Sequence, residues 1–286
     1  MNMKRYLFSF LIVGLFISMP TFSQLIQFSS LSEDSPIYQP FETVTLIDNH
    51  TTMNPYKGAM NIEIQHRFAP ISTISDLFGI YGSANTRMAV AYGITDNIML
   101  GFGTTRKDKL QDLEWKVSLL QQTESGKMPV SVSYVGNAVL NASDAANFGP
   151  ENEFKFAHRL SYMNQVLVSR KFGEKIGVQI APTFVWMNAV QEGYNNANFS
   201  VYGGLRAQVL GFHSIIFEYE QPINKPADVD VYPNLSLGVE IGTSTHSFRI
   251  FVSNYNSLVK NYDVVYNANN PFGLDYHFGF NISIRF

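Results

Sequence analysis

The chain has 286 residues, 15% of them charged and 14% aromatic, with a net charge of -3. The absence of any basic excess argues against a nucleic-acid partner. The absence of cysteine excludes disulfides and thiolate metal sites.

Met1 to Arg5 is a short basic start, followed by an apolar run from Tyr6 to Met19 and the small or turn-forming residues Pro20 to Gln24. This is the pattern of a secretory signal peptide, with cleavage expected after Ser23. The run is shorter than the ~20 apolar residues a membrane helix needs. Without disulfides, an exported chain must gain its stability elsewhere, and a closed barrel in lipid is one way.

Residues 24–58 follow, with Pro36, Pro40 and Pro55. The segment is too short for an independent plug domain. Two readings stay open: a periplasmic leader, or a leader of which Phe41–Lys57 is inserted into the lumen.

From Ala59 onward the chain alternates with period two. Met60, Ile62 and Ile64 alternate with Asn61, Glu63 and Gln65; Met88, Val90 and Tyr92 alternate with Arg87, Ala89 and Ala91. The pattern recurs to Phe278, Phe280, Ile282, Ile284 and Phe286, giving about twelve segments. Successive strand residues point to opposite faces. The apolar phase carries no formal charge. The other phase carries the acids Glu63, Glu114, Glu218, Glu220 and Glu240 and the bases Arg67, Arg87, Lys116, Arg206, Arg249 and Arg285. A basic residue facing mid-membrane costs about 2–4 kcal/mol, so the apolar phase is read as facing lipid and the charged phase as facing the lumen. Near balance of charge predicts ion pairs across the interior rather than a selective ring of one sign.

A secreted β-sandwich would alternate in the same way. Three features favour a membrane barrel. Short connections (Gly93–Asn97, Thr123–Lys127, Phe172–Lys175, Leu210–Phe212, Gly242–Thr245) alternate with longer polar ones, as periplasmic turns and outer loops do. Phe68, Tyr92, Trp186, Phe199, Tyr219 and Tyr276 fall near strand ends, where aromatic girdles belong. The closing Phe280, Ile282, Ile284 and Phe286 resemble the terminal signal read by the bacterial barrel-assembly machinery. Two positions fit less well. Pro182 predicts a bulge, and Asn164 on the lipid phase predicts a register shift.

The chain resembles a family of Bacteroidota outer-membrane barrels classed as a domain of unknown function. The resemblance rests on Phe41–Gly58, His66-Arg67-Phe68, Asp76–Gly79, Tyr92–Asp96, Gly101–Thr105, Met128–Val132, Val239–Phe248 and Phe280–Phe286. Ala69 stands where that family has glycine. The resemblance implies fold and location, and no catalytic residue or substrate.

No phosphate loop, catalytic triad motif or metal-ligand spacing is found in the sequence. Ser125-Gly126-Lys127 reads as a turn, and Asp144, Asp228, Asp230 and Asp263 as solvated loop acids. His66, on the lipid phase, lacks an identifiable serine or acid partner for lipase chemistry. The expectation is an all-β, transmembrane antiparallel barrel of about twelve strands over residues 59–286, with both termini periplasmic. It is non-enzymatic, without cofactor or metal. Its expected partners are outer-membrane lipid, the assembly machinery and, for a narrow passive channel, a small polar solute. A non-conducting barrel that anchors a partner is the alternative.

Overall fold

The computed structural model describes residues 34–37, 40–71, 77, 79–148, 153–273 and 275–286. The expected signal peptide, residues 1–23, and the first part of the leader lie outside the described residues.

The strands are β1 (Met60–Pro70), β2 (Asn85–Thr95), β3 (Ile98–Thr105), β4 (Leu110–Leu120), β5 (Ser131–Asn141) and β6 (Leu160–Phe172), then β7 (Ile176–Met187), β8 (Ala197–Leu210), β9 (His213–Pro222), β10 (Asn234–Gly242), β11 (His246–Ser253) and β12 (His277–Arg285). Each pairs with its sequence neighbours, and β12 pairs with β1 to close the ring. Closure leaves no unpaired strand edge, the condition for placing a sheet in hydrocarbon.

The alternation sets the two faces. Met88, Val90, Leu100, Phe102, Leu113, Ile180, Leu237 and Ile250 lie exposed on the outside. Their neighbours Arg87, Gly101, Glu114, Gln179, Ser236 and Arg249 are buried inside. This is the inverse of a soluble barrel: apolar outside, ionised and amide groups within. No helix among the described residues is long and apolar enough to cross a membrane. The crossing is made by strands.

Short connections lie at the end where Met60 and Phe286 exchange backbone hydrogen bonds. The other end carries most of the long connections, including residues 142–159 and 254–276. Short turns mark the periplasmic mouth and long loops the outer one. Thr123–Gly126 closes a tight turn through the Gly126 amide donating to the Thr123 carbonyl at 3.1 Å, with Gly126 at φ 77°.

Two sequence expectations are corrected. Pro182 produces no bulge. It pairs with Val201 of β8 in unbroken register, while the ladder to β6 passes over Val166 and Leu167 and resumes unshifted at Val168–Ile180. The missing donor therefore costs a local ladder gap rather than an extra residue. Asn164 does not shift β6 either, since it pairs with Gly136 and Phe184 in register. Its side-chain oxygen instead accepts a hydrogen bond from the Tyr134 hydroxyl at 2.5 Å, so two polar groups on the outer face satisfy each other. Register shifts occur elsewhere, between Arg67 and Pro70, Gly93 and Thr95, Ser118 and Leu120, and Gln208 and Leu210.

Charge placed on the outer face should be costly. Ile180→Lys is expected to lower stability by about 2–4 kcal/mol, as measured by denaturant titration of the barrel refolded in liposomes.

Candidate functional site: the lumen and the segment inside it

The interior is occupied. Residues 40–58 enter at the periplasmic mouth, and Phe41, Leu46, Ile47, His50 and Thr51 are buried within the barrel. A tight hairpin shapes the segment. The Leu46 amide donates to the Asn49 carbonyl at 2.9 Å, the Thr51 amide to the Val44 carbonyl at 2.8 Å, and Thr45 bridges to His50. Asp48 and Asn49 at its tip are residues that favour turns.

The wall holds this hairpin by its backbone as well as by its side chains. One oxygen of the Glu218 carboxylate accepts the amides of Ile47 at 2.9 Å and Asn49 at 3.3 Å. The other accepts the amide of Asp48 at 3.2 Å. Arg249 donates to the carbonyls of Thr45 and Leu46 at 2.7 and 3.0 Å. Asn281 donates to the Ile47 carbonyl at 2.6 Å, and Gln179 to that of His50 at 2.7 Å. Lys116 donates to the carbonyls of Thr51, at 2.9 Å, and Met53. A buried hairpin tip leaves peptide groups without water, and these charged and amide side chains replace it.

Side chains add specific pairs. The Arg67 guanidinium meets both Asp48 oxygens at 2.6 Å, and the Tyr255 hydroxyl donates to the same carboxylate at 2.8 Å. Arg67 also lies over the Phe251 ring at 4.2 Å. His50 Nε2 stands 3.2 Å from Glu114. Around these run wall-to-wall pairs: Arg87 with Asp112 at 2.5 Å and with Glu114, Arg206 with Glu240 at 2.6 Å, and Arg249 with Glu63 at 3.2 Å. Gly103 makes room for one of them, because a Cβ there would fall 2.5 Å from Arg87 and 2.6 Å from Asp112.

A helix closes the arrangement from the other mouth. Residues 254–276 include α1 (Lys260–Tyr266), whose Lys260 bonds Glu220 of β9 at 2.5 Å and lies 2.9 Å from Asp263. Burial pulls the Lys260 ammonium down, but Asp263, Glu220 and Glu218 outweigh it and hold its pKa above the ordinary lysine value. Burial lifts the Asp263 carboxyl well above the usual range, with Lys260 opposing. Val264 and Val265 pack on Val135, Met163, Leu167 and Val185, which face inward.

Of the lumen residues expected from sequence, Glu63, Arg67, Arg87, Glu114, Lys116, Arg206, Glu218, Glu220, Glu240 and Arg249 are buried inside. Arg285 is different. It sits half-buried at the periplasmic rim, donating to the carbonyls of Glu42 and Thr243 at 2.7 and 2.6 Å. Asp263, read as a solvated loop acid, is 2% exposed; the loop folds back into the mouth as a helix, which no strand periodicity encodes. Asp112 was missed, although it lies on the charged phase of β4, two residues from Glu114. His66 lies on the outer face, stacked on Phe280 at 5.0 Å and tilted against Phe68 at 4.4 Å. Phe280, Ile282 and Ile284 also face outward, and Phe286 is exposed at the periplasmic rim.

Among the described residues, a cavity lies at each mouth. The outer one, about 680 Å³, lies over α1 and is lined in part by Asn141, Tyr194, Tyr262 and Tyr266. The periplasmic one, about 650 Å³, is lined in part by Glu42, Tyr56, Arg206 and Arg285.

An apolar exterior, a closed even-stranded ring and a charged interior define an outer-membrane β-barrel. The chain belongs to the family described as a membrane-bound beta barrel domain (DUF5777), whose model matches residues 41–286. The family's extent therefore takes in the inner segment together with the barrel. Among curated proteins, none matches the chain. Among solved structures, the chain is similar to the KdgM porin in complex with disordered oligogalacturonate, at 9% identity and a TM-score of 0.49. That likeness covers 79% of this chain and 98% of the porin. The NanC porin gives the same identity, coverage and score. An outer-membrane channel from Pseudomonas putida F1 gives 11% identity and a TM-score of 0.46, over 81% of this chain and 96% of the channel.

Loosening the hairpin's anchors should expose it. In the folded barrel, limited proteolysis within residues 40–58 is expected to be at least tenfold faster in the Glu218→Gln/Lys116→Met variant than in the unsubstituted protein, with the barrel strands still resistant.

Proposed function

We propose that the protein is an outer-membrane channel for small polar solutes, held shut at rest by residues 40–58 from one mouth and by α1 from the other. The observation that carries this reading is the placement of two mouth cavities on either side of a hairpin gripped by a polar wall. Were the hairpin withdrawn, Glu63, Gln65, Lys116, Gln179, Glu218 and Arg249 would meet water, which suits them. A permanently filled barrel has no need of so many ionised groups, since buried pairs often stabilise no better than apolar packing.

The balance of charge also supports weak selection by sign. Arg67, Arg87, Arg206 and Arg249 each have a carboxylate partner within 4.0 Å. The reading is non-enzymatic: the outward His66 is packed between phenylalanines, and the chemistry of the lumen is that of binding. The outward Phe280, Ile282 and Ile284, ending in Phe286, support recognition of β12 by the barrel-assembly machinery. The resemblance in sequence supports a Bacteroidota source.

Planar-bilayer recording tests the channel. The unsubstituted protein is expected to open rarely, and a variant lacking both residues 42–54 and α1 to conduct steadily. A deletion variant that inserts, migrates as a folded barrel and passes no current would overturn the channel and leave the non-conducting, partner-anchoring barrel.

A further inference from the structure

The outer cavity has a lining unlike the charged lumen beneath it. We infer that it is a binding site for a short, uncharged oligosaccharide; as the solute class of the channel this rests on the reading above, but as a binding site it stands apart from conduction.

The first ground is the aromatic wall. Tyr194 of the loop between β7 and β8 meets Tyr266 of α1 with ring centroids 4.8 Å apart at 62°, and Tyr262 lies 5.9 Å from Tyr266. All three rings are half-buried and line the cavity. They are held in place. The Tyr262 hydroxyl accepts from Asn141 at 3.1 Å, and the Tyr194 amide donates to the Gln191 carbonyl at 3.2 Å. Fixed rings that leave part of their surface open offer a flat, weakly polar platform at little cost in side-chain entropy. The C–H face of a pyranose fits such a platform.

The second ground is the polar part of the lining. Gln191, Asn256 and Asn269 bring carboxamides to the cavity. Among the described residues, the side chains of Gln191 and Asn269 have no hydrogen-bond partner. An amide presents an acceptor and two donors in one plane, which matches adjacent sugar hydroxyls that each donate and accept.

The third ground is charge. Among the described residues, the lining contains one basic residue, Lys107, and two acids, Asp108 and Asp263. Lys107 lies 3.4 Å from the Asn256 side-chain oxygen, and Asp263 lies against Lys260 at 2.9 Å. Among the described residues, nothing here forms the arginine cluster that carboxylated sugars or phosphates require, and the one exposed carboxylate, Asp108, stands without the further carboxylates a cation site would need. A peptide added as a further strand would need an open strand edge, and the ring has none. At about 680 Å³, the cavity lies within the usual range of small-molecule sites and suits roughly a di- or trisaccharide.

The test is calorimetric titration of the full mature protein in an amine-oxide detergent, which carries no sugar headgroup. The probes are maltotriose, cellotriose and mannotriose, with trigalacturonate and the glucosamine trimer as charged controls. At least one neutral trisaccharide is expected to bind saturably, and both charged trimers at least tenfold more weakly. Tyr194→Ala and Tyr266→Ala should each weaken that binding at least tenfold. The exposed Gln191→Ala, which leaves the rings untouched, should weaken it several-fold. Absence of saturable binding across the neutral panel, equal binding of trigalacturonate, or binding unaffected by Gln191→Ala and by either tyrosine variant would overturn the site. Binding that persists while the deletion variant passes no current would sink the channel and spare this site.

Discussion

Pairing of β12 with β1 is the constraint from which the rest follows. In hydrocarbon no water is present to satisfy a free strand edge, so the sheet must close on itself. Once closed, the ring has an inside and an outside, and period-two alternation assigns every strand residue to one of them. The outer face then has to be apolar. The inner face is free to carry what lipid rejects, and it does so with Arg, Glu, Lys and Gln side chains from most of the strands.

An inner face of that kind creates a second problem. Ionised groups enclosed by protein need partners as much as those in a core do. Part of the solution is wall to wall, as in the Arg87–Asp112 and Arg206–Glu240 pairs. Part is supplied by chain that is not in the sheet at all. Residues 40–58 and α1 enter from opposite mouths and satisfy Glu218, Arg249, Lys116 and Glu220. The barrel and its filling are thus one electrostatic unit, consistent with a family match that begins at Phe41.

The barrel was legible because its signal is local and periodic. Each of Met88, Val90 and Tyr92 could be set against Arg87 and Ala89 without knowing any partner strand, and the turn lengths separated a membrane barrel from a soluble sheet. The inner residues were harder for a physical reason. Asp48, Lys260 and Asp263 lie in segments without strand periodicity, and their burial comes from contacts with residues far away in the chain. One clue was present: Val135, Met163, Leu167 and Val185 are apolar on the phase that should face water. Strands apolar on both faces need a partner on each, and here the inner one is α1. Pro182 and Asn164 misled because local irregularity was expected to move the register, whereas each was absorbed in place, by a gap in the ladder and by the Tyr134 hydroxyl.

The grip on the hairpin is directed at peptide groups as well as at side chains. Glu218, Arg249, Asn281, Gln179 and Lys116 all bond amides or carbonyls, which every amino acid except proline supplies in full. Side-chain identity matters where it is itself contacted, at Asp48 beneath Arg67 and also at Thr45, Asn49, His50, Thr52 and Asn54. Over generations, the positions gripped only by their peptide groups, such as Leu46 and Ile47, can therefore drift in side chain more freely than those gripped by side chain. Among homologues, the hairpin would be recognised by its length and its polar positions more than by its apolar spelling.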